Sequence, residues 1–119
     1  MRYALLMHHH EPAEGELSAE AQRAFDVYAK ALQQAGVLLA AEVLQPMDAS
    51  TTVTNRDGAV QVQDGPFAAT KEALAGVFLI DVPDLDAAIG WAGKCPGAQW
   101  GTMEIRPVAT SFVDGGWTR

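Results

Sequence analysis

Residues Leu74–Ala92, LAGVFLIDVPDLDAAIGWA, hold the junction that decides the fold. Leu74 to Val82 is a run of large apolar and β-branched residues, the composition of a buried strand. Pro83 cannot continue a ladder, and Asp84 after it is a good N-cap for a helix. Leu85, Ala88, Ile89 and Ala92 then fall three or four residues apart and form one helical stripe. Further on, Pro96-Gly97 ends that region, and Thr102 to Val108 reads as the last strand. The second half of the chain is therefore β-α-β.

The first half has the same plan. Arg2 to His8 reads as a strand, with Tyr3, Leu5 and Met7 on one face and Arg2, Ala4, Leu6 and His8 on the other. Residues 9–17 are polar and read as a loop. Ser18 is the expected N-cap of a helix whose stripe is Ala21, Ala24, Phe25, Tyr28, Leu32 and Ala35, and Gly36 supplies its stop. Val37 to Leu44 reads as a strand closed by Pro46. Thr51–Asn55 and Ala59–Gln63 flank Arg56-Asp57-Gly58 and predict an inserted β-hairpin.

Two βαβ halves around a hairpin predict an α+β fold, a ferredoxin-like βαββαβ sheet with both helices on one face. One domain is expected over residues 1–108, and an irregular tail over 109–119. The second sheet face would lie bare in a monomer, and a second copy is its simplest cover, so a homodimer is expected.

The totals narrow the partners. The chain has 119 residues, 49% of them apolar, with a net charge of −7 and only eight Lys and Arg. That balance argues against nucleic acid and against an anionic membrane surface. The apolar run Tyr3–Met7 is too short for a bilayer span or a signal segment. Cys95 stands alone, so no internal disulfide can form, and its place near a helix end does not favour a thiolate. A cytoplasmic location is the expectation. No phosphate loop, dinucleotide fingerprint or serine elbow occurs, and no cofactor is called for.

Strand alternation maps the open sheet face. Val37, Leu39, Ala41 and Val43 are uniformly apolar and are assigned to the helices, which turns Leu38, Ala40, Glu42 and Leu44 outward. In the last strand Met103 and Ile105 face the helices, and Thr102, Glu104 and Arg106 face outward. His8, Glu42, Glu104 and Arg106 are thus expected in or near one cleft. A His beside carboxylates can act as a general base, and an Arg there can grip a carboxylate with two hydrogen bonds. Against this stands the plainer reading of Glu42, Glu104 and Arg106 as ion pairs lining a dimer interface.

His8-His9-His10 places His8 and His10 on one side of an extended chain, as two metal ligands could lie, with Glu11 or Glu42 as a third. The spacing alone does not complete a metal site, and His9 and His10 also read as solvated loop residues. Asp64-Gly65-Pro66-Phe67 reads first as a turn: Asp64 bonds forward to amides, Gly65 permits positive φ, Pro66 fixes the next φ and Phe67 plugs a core. Its functional reading makes Asp64 a general base at the cleft mouth and Lys71 an anion anchor. Trp91 falls at the border of its helix stripe, and Trp100 and Trp117 read as packing or interface residues.

Asp64-Gly65-Pro66-Phe67-Ala68-Ala69-Thr70-Lys71-Glu72 closely resembles the DGPFAETKE signature of the YCII-related family. Pro83-Asp84-Leu85-Asp86-Ala87-Ala88 and Glu104-Ile105-Arg106-Pro107-Val108 resemble its later segments. Met1-Arg2-Tyr3 and Ala35-Gly36-Val37-Leu38 resemble its opening strand and the end of its first helix. The resemblance covers most of residues 1–108. It implies a dimeric α+β barrel in which two sheets face each other across a cleft. Smaller relatives carry a His on the first helix that pairs with an Asp. At the matching place this chain has Phe25, so that dyad is not carried over. One relative is a dehydrochlorinase acting on a hydroxylated aromatic, and some members are encoded near alternative sigma factors.

Two functions are expected on these grounds. The first is a small dimeric protein that binds a small molecule in a regulatory or accessory role, with Glu42, Phe67, Lys71, Glu104 and Arg106 lining its cleft. The alternative is an acid–base enzyme of lyase, isomerase or dehydrochlorinase type acting on a small aromatic or carboxylate. In that case His8 or Asp64 moves the proton and Arg106 holds the anion.

Overall fold

The structure is a computed structural model that describes residues 1–11 and 18–118; residues 12–17 of the expected loop and Arg119 lie outside the described residues. Four strands make the main sheet: β1 (Arg2–His9), β2 (Leu38–Val43), β5 (Ala73–Asp81) and β6 (Gly101–Pro107). Their order is β2-β5-β1-β6, and every pair is antiparallel. Helices α1 (Ala19–Gln34) and α2 (Leu85–Lys94) link β1 to β2 and β5 to β6. A hairpin, β3 (Thr51–Arg56) and β4 (Ala59–Asp64), is inserted between β2 and β5.

Both helices pack on one sheet face. Phe25, Tyr28 and Leu32 of α1 and Ala88 and Ala92 of α2 share a core with Tyr3, Leu5, Met7, Phe78 and Ile80. Each large apolar side chain sealed there contributes about 1.5–3 kcal/mol. Burial raises the pKa of the Tyr28 hydroxyl, which donates to the Trp91 carbonyl at 2.8 Å and so ties α1 to α2. Cys95 is buried in the same core, and burial raises its thiol pKa too.

The local signals in the sequence act as expected at the helix ends. Ser18 Oγ accepts from the Ala21 amide at 3.1 Å, and Asp84 accepts from the Ala87 amide at 2.9 Å. Gly36 takes φ +74°, with Val37 N–H donating to Leu32 C=O and Gly36 N–H to Gln33 C=O, which is a Schellman stop. Asp57 and Gly58 both have positive φ and close the β3–β4 turn in the sense that matches strand twist.

Several expectations are corrected. β1 runs on through His9, which pairs with Ala73 and Gly101, so His9 belongs to a strand rather than to the loop. The register of β2 slips between Leu38 and Ala40, so Leu38 pairs with Ile80 and packs on the core, whereas Leu39 is exposed. A bulge breaks strict alternation there. On α2 the buried stripe narrows to Ala88 and Ala92, and Leu85 and Ile89 are exposed. The tail is not irregular: Phe112–Val113 (β7) and Gly116–Trp117 (β8) form a short hairpin in which the two aromatic rings meet edge to face.

Candidate functional site

The second sheet face carries three transverse rows. The registers align Arg106, Ala4, Leu79 and Ala40 in one, Glu104, Leu6, Val77 and Glu42 in the next, and Thr102, His8 and Leu74 in the third. Its middle is apolar, and its β6 side is charged. Helices α1 and α2 pack on the opposite face.

His8, Glu104 and Arg106 meet on that side. His8 Nε2 lies 3.1 Å from Glu104 Oε1, and Arg106 donates to Glu104 Oε2 at 2.6 Å. The hydrogen bond from Arg106, then that from His8, lowers the Glu104 carboxyl pKa below its usual value. Glu104 therefore stays ionised, and an ionised carboxylate only accepts. Neutral His8 must then carry its proton on Nε2, which leaves Nδ1 as the ring's acceptor. Contacts this exposed add little to stability; they fix the ring's orientation instead.

Backbone features bring His8 to its place. Between Met7 and His8 the β1–β5 register shifts, leaving Ala75 as an extra residue on β5. Such bulges turn the neighbouring side chain. On the other side β6 starts hard against His8: a Cβ on Gly101 would lie 2.0 Å from the His8 carbonyl oxygen, so only glycine fits there.

His8 also lines a cavity of about 900 Å³ at this end of the sheet. The hairpin base, the segment from Leu44 to Ser50, the Pro66–Thr70 loop and Glu72–Leu74 form its other walls. These walls are held in position by hydrogen bonds. Gly65, at φ +103°, donates its N–H to Ser50 C=O at 2.8 Å, and Thr52 Oγ1 donates to Gly65 C=O at 2.7 Å. The Glu11 carboxylate accepts from the Met47 amide and anchors the segment after β2. The size and the mainly apolar walls suit a small organic molecule.

The remaining candidates are scattered. Phe67 does not plug a core. It is 91% exposed and stands at the rim of the cavity, because the tight turn at Gly65 carries the chain away from the sheet. Glu42 shares a row with Glu104, but three strand spacings, roughly 14 Å, separate them. Asp64 and Lys71 are exposed and make no side-chain hydrogen bond or ion pair among the described residues. His9 Nδ1 lies 2.6 Å from the His10 carbonyl oxygen, and His10 is exposed. Among the described residues no three His, Cys, Asp or Glu side chains gather as a metal-binding group. Phe25 is buried, stacked on Phe78 and edge-on to Trp100.

Sequence reasoning missed Leu44, Met47, Thr52, Thr70, Glu72 and Leu74 as cavity walls. Leu74 had a signal: it stands at the start of the apolar run that forms β5 and shares His8's face once the bulge is counted. The others come together only through the fold of the hairpin. No helix of the described residues is long and apolar enough to cross a membrane.

Comparison with known proteins agrees with the residues around the Asp64–Phe67 turn. The family model described as the YCII-related domain matches residues 1–111. An uncharacterized protein of Rhizobium meliloti (strain 1021) is 35% identical over 115 residues, which cover 92% of this chain and 93% of that protein. On both findings, the chain belongs to the YCII-related family.

Proposed function

We propose that this chain is one half of a dimeric α+β barrel that binds a small, mainly apolar molecule beside His8, in a regulatory or accessory role. The strand order β2-β5-β1-β6 with both helices on one face supports a ferredoxin-like protomer. The half-buried apolar patch of Ala4, Leu6, Val77 and Leu79, on the face opposite α1 and α2, supports pairing with a second copy. The observation that carries the binding reading is His8 itself: an oriented imidazole set in the wall of a roomy cavity. Small-molecule sites have this make-up, apolar walls with few polar groups.

The test is a fragment screen with amide NMR spectra of the whole chain as the readout. Binding that shifts His8, Leu74 and Thr52 together, and that weakens in His8→Ala, supports the reading. Fragments that shift only other surfaces, or that bind His8→Ala equally well, refute it.

A second reading, an acid–base enzyme of lyase, isomerase or dehydrochlorinase type, is favoured by the same carboxylate behind the same ring. An imidazole held by a carboxylate is the arrangement of a general base. Saturable turnover of a fragment that is lost in both His8→Ala and Glu104→Gln would select it; binding without turnover would select the first.

A further inference from the structure

The wall of the cavity beside His8 is uneven in charge. Glu72 lies in it, and no Lys or Arg of the described residues does. Arg106 is turned to Glu104, and neither of those two lines the cavity. With His8 neutral, no side chain of this protomer's wall offers an anion a cationic partner, and the chain's net charge of −7 opposes one further.

His8 supplies the complementary constraint. Its Nε2 is committed to Glu104. Its Nδ1 makes no hydrogen bond among the described residues, and in the neutral ring that nitrogen is unprotonated and only accepts. An occupant must bring a donor to that atom. A carboxylate brings none, and an ether brings none. Leu44, Met47, Phe67 and Leu74 are among the wall's apolar residues and reward a hydrocarbon body.

We propose that this cavity selects an uncharged molecule with an apolar body and one hydroxyl group, whose O–H donates to His8 Nδ1, and that it discriminates against carboxylates of the same shape. The proposal rests on the reading of the cavity as a ligand site and goes beyond it by fixing the ligand's charge and polarity. Glu104 and Arg106 are positioning residues in this scheme. They hold the ring so that its acceptor, rather than its N–H, meets the occupant.

The experiment uses three probes that share one rigid body: 1-adamantanol, 1-methoxyadamantane and adamantane-1-carboxylate. Affinities are measured by NMR titration of the whole chain, wild type and His8→Leu, at an alkaline pH where a free imidazole is neutral. The expected result is that the alcohol binds wild type at least about tenfold tighter than either other probe, the size of a hydrogen bond gained inside a site. In His8→Leu the alcohol and the ether should bind alike. Glu104→Gln, which can donate to the ring and lets its proton move to Nδ1, should also narrow the preference. If the carboxylate binds wild type as well as the alcohol, or if the alcohol's advantage survives in His8→Leu, the proposed selectivity is wrong while the cavity remains a ligand site. If no probe binds wild type at this cavity, the selectivity and the ligand-site reading both fall.

Discussion

His8 and Glu104 are diagonal neighbours across the β1–β6 ladder: His8 pairs with Thr102 and Glu104 with Leu6, yet Nε2 and Oε1 lie 3.1 Å apart. Diagonal positions two residues out of register are within reach of long side chains on one face. The contact is therefore a product of the register of β6, which Gly101 permits by closing directly on His8 and His9.

The lowered Glu104 pKa gives a pH prediction. A carboxyl whose folded pKa lies below its unfolded value, about 4.3 for Glu, contributes stability that is present above that value. The contribution is lost as pH falls through the folded pKa. Arg106 is the larger cause of the shift, so Arg106→Ala should move the Glu104 midpoint upward, with His8→Ala doing so less. Carboxyl-carbon NMR titration of the three proteins checks the order.

Gly101 and Gly90 should respond oppositely to alanine. At Gly101 the new methyl would strike the His8 carbonyl and the backbone of His9, so Gly101→Ala should lose about 1–3 kcal/mol and displace His8. At Gly90, inside α2, a Cβ meets nothing within 4 Å, so Gly90→Ala should gain about 0.5–1 kcal/mol. Urea unfolding of both variants measures the pair.

Two phenylalanines should separate stability from binding. Phe25 is in the core, and Phe25→Ala should cost about 3–5 kcal/mol. Phe67 is 91% exposed, so Phe67→Ser should change stability by no more than about 0.5 kcal/mol. It should nevertheless weaken binding of any fragment seated beside His8. Unfolding curves and titrations on the same samples distinguish the two effects.

Leu6 lies mid-way across the open face, opposite Glu104 on one side and Val77 on the other. If a second copy covers this face, wild type should scatter light as twice the chain mass. Leu6→Glu should then scatter as a monomer, because it buries a charge next to a like charge. A wild-type monomer at high micromolar concentration would contradict the dimer.

Much of this architecture is legible in the sequence because it rests on local chemistry. Ser18, Gly36 and Asp84 act through their own neighbours along the chain, and alternation in β1 puts His8 on the open face with Glu104 and Arg106. The hidden part is non-local. The bulge residues Leu39 and Ala75 carry no mark in composition, and one extra residue puts the two parts of its strand out of phase, so that Leu38 faces the core although Ala40 and Glu42 lie on the open face as alternation predicts. Phe67 reads as a core plug because it is large and apolar; its exposure depends on the direction in which Gly65 sends the chain. The cavity joins segments as far apart as His8, Met47, Thr70 and Leu74, and only the packed hairpin shows that they meet.

The central claim is that Glu104 fixes the proton of His8 on Nε2 and turns an acceptor toward the cavity. Long-range 1H–15N correlation spectra of the His8 ring, recorded at alkaline pH where a free imidazole is neutral, test it most directly. The expected result is an Nε2–H tautomer in the wild type that gives way to a mixture in Glu104→Gln. An Nδ1–H tautomer in the wild type, or a ring indifferent to the loss of the carboxylate, would contradict it.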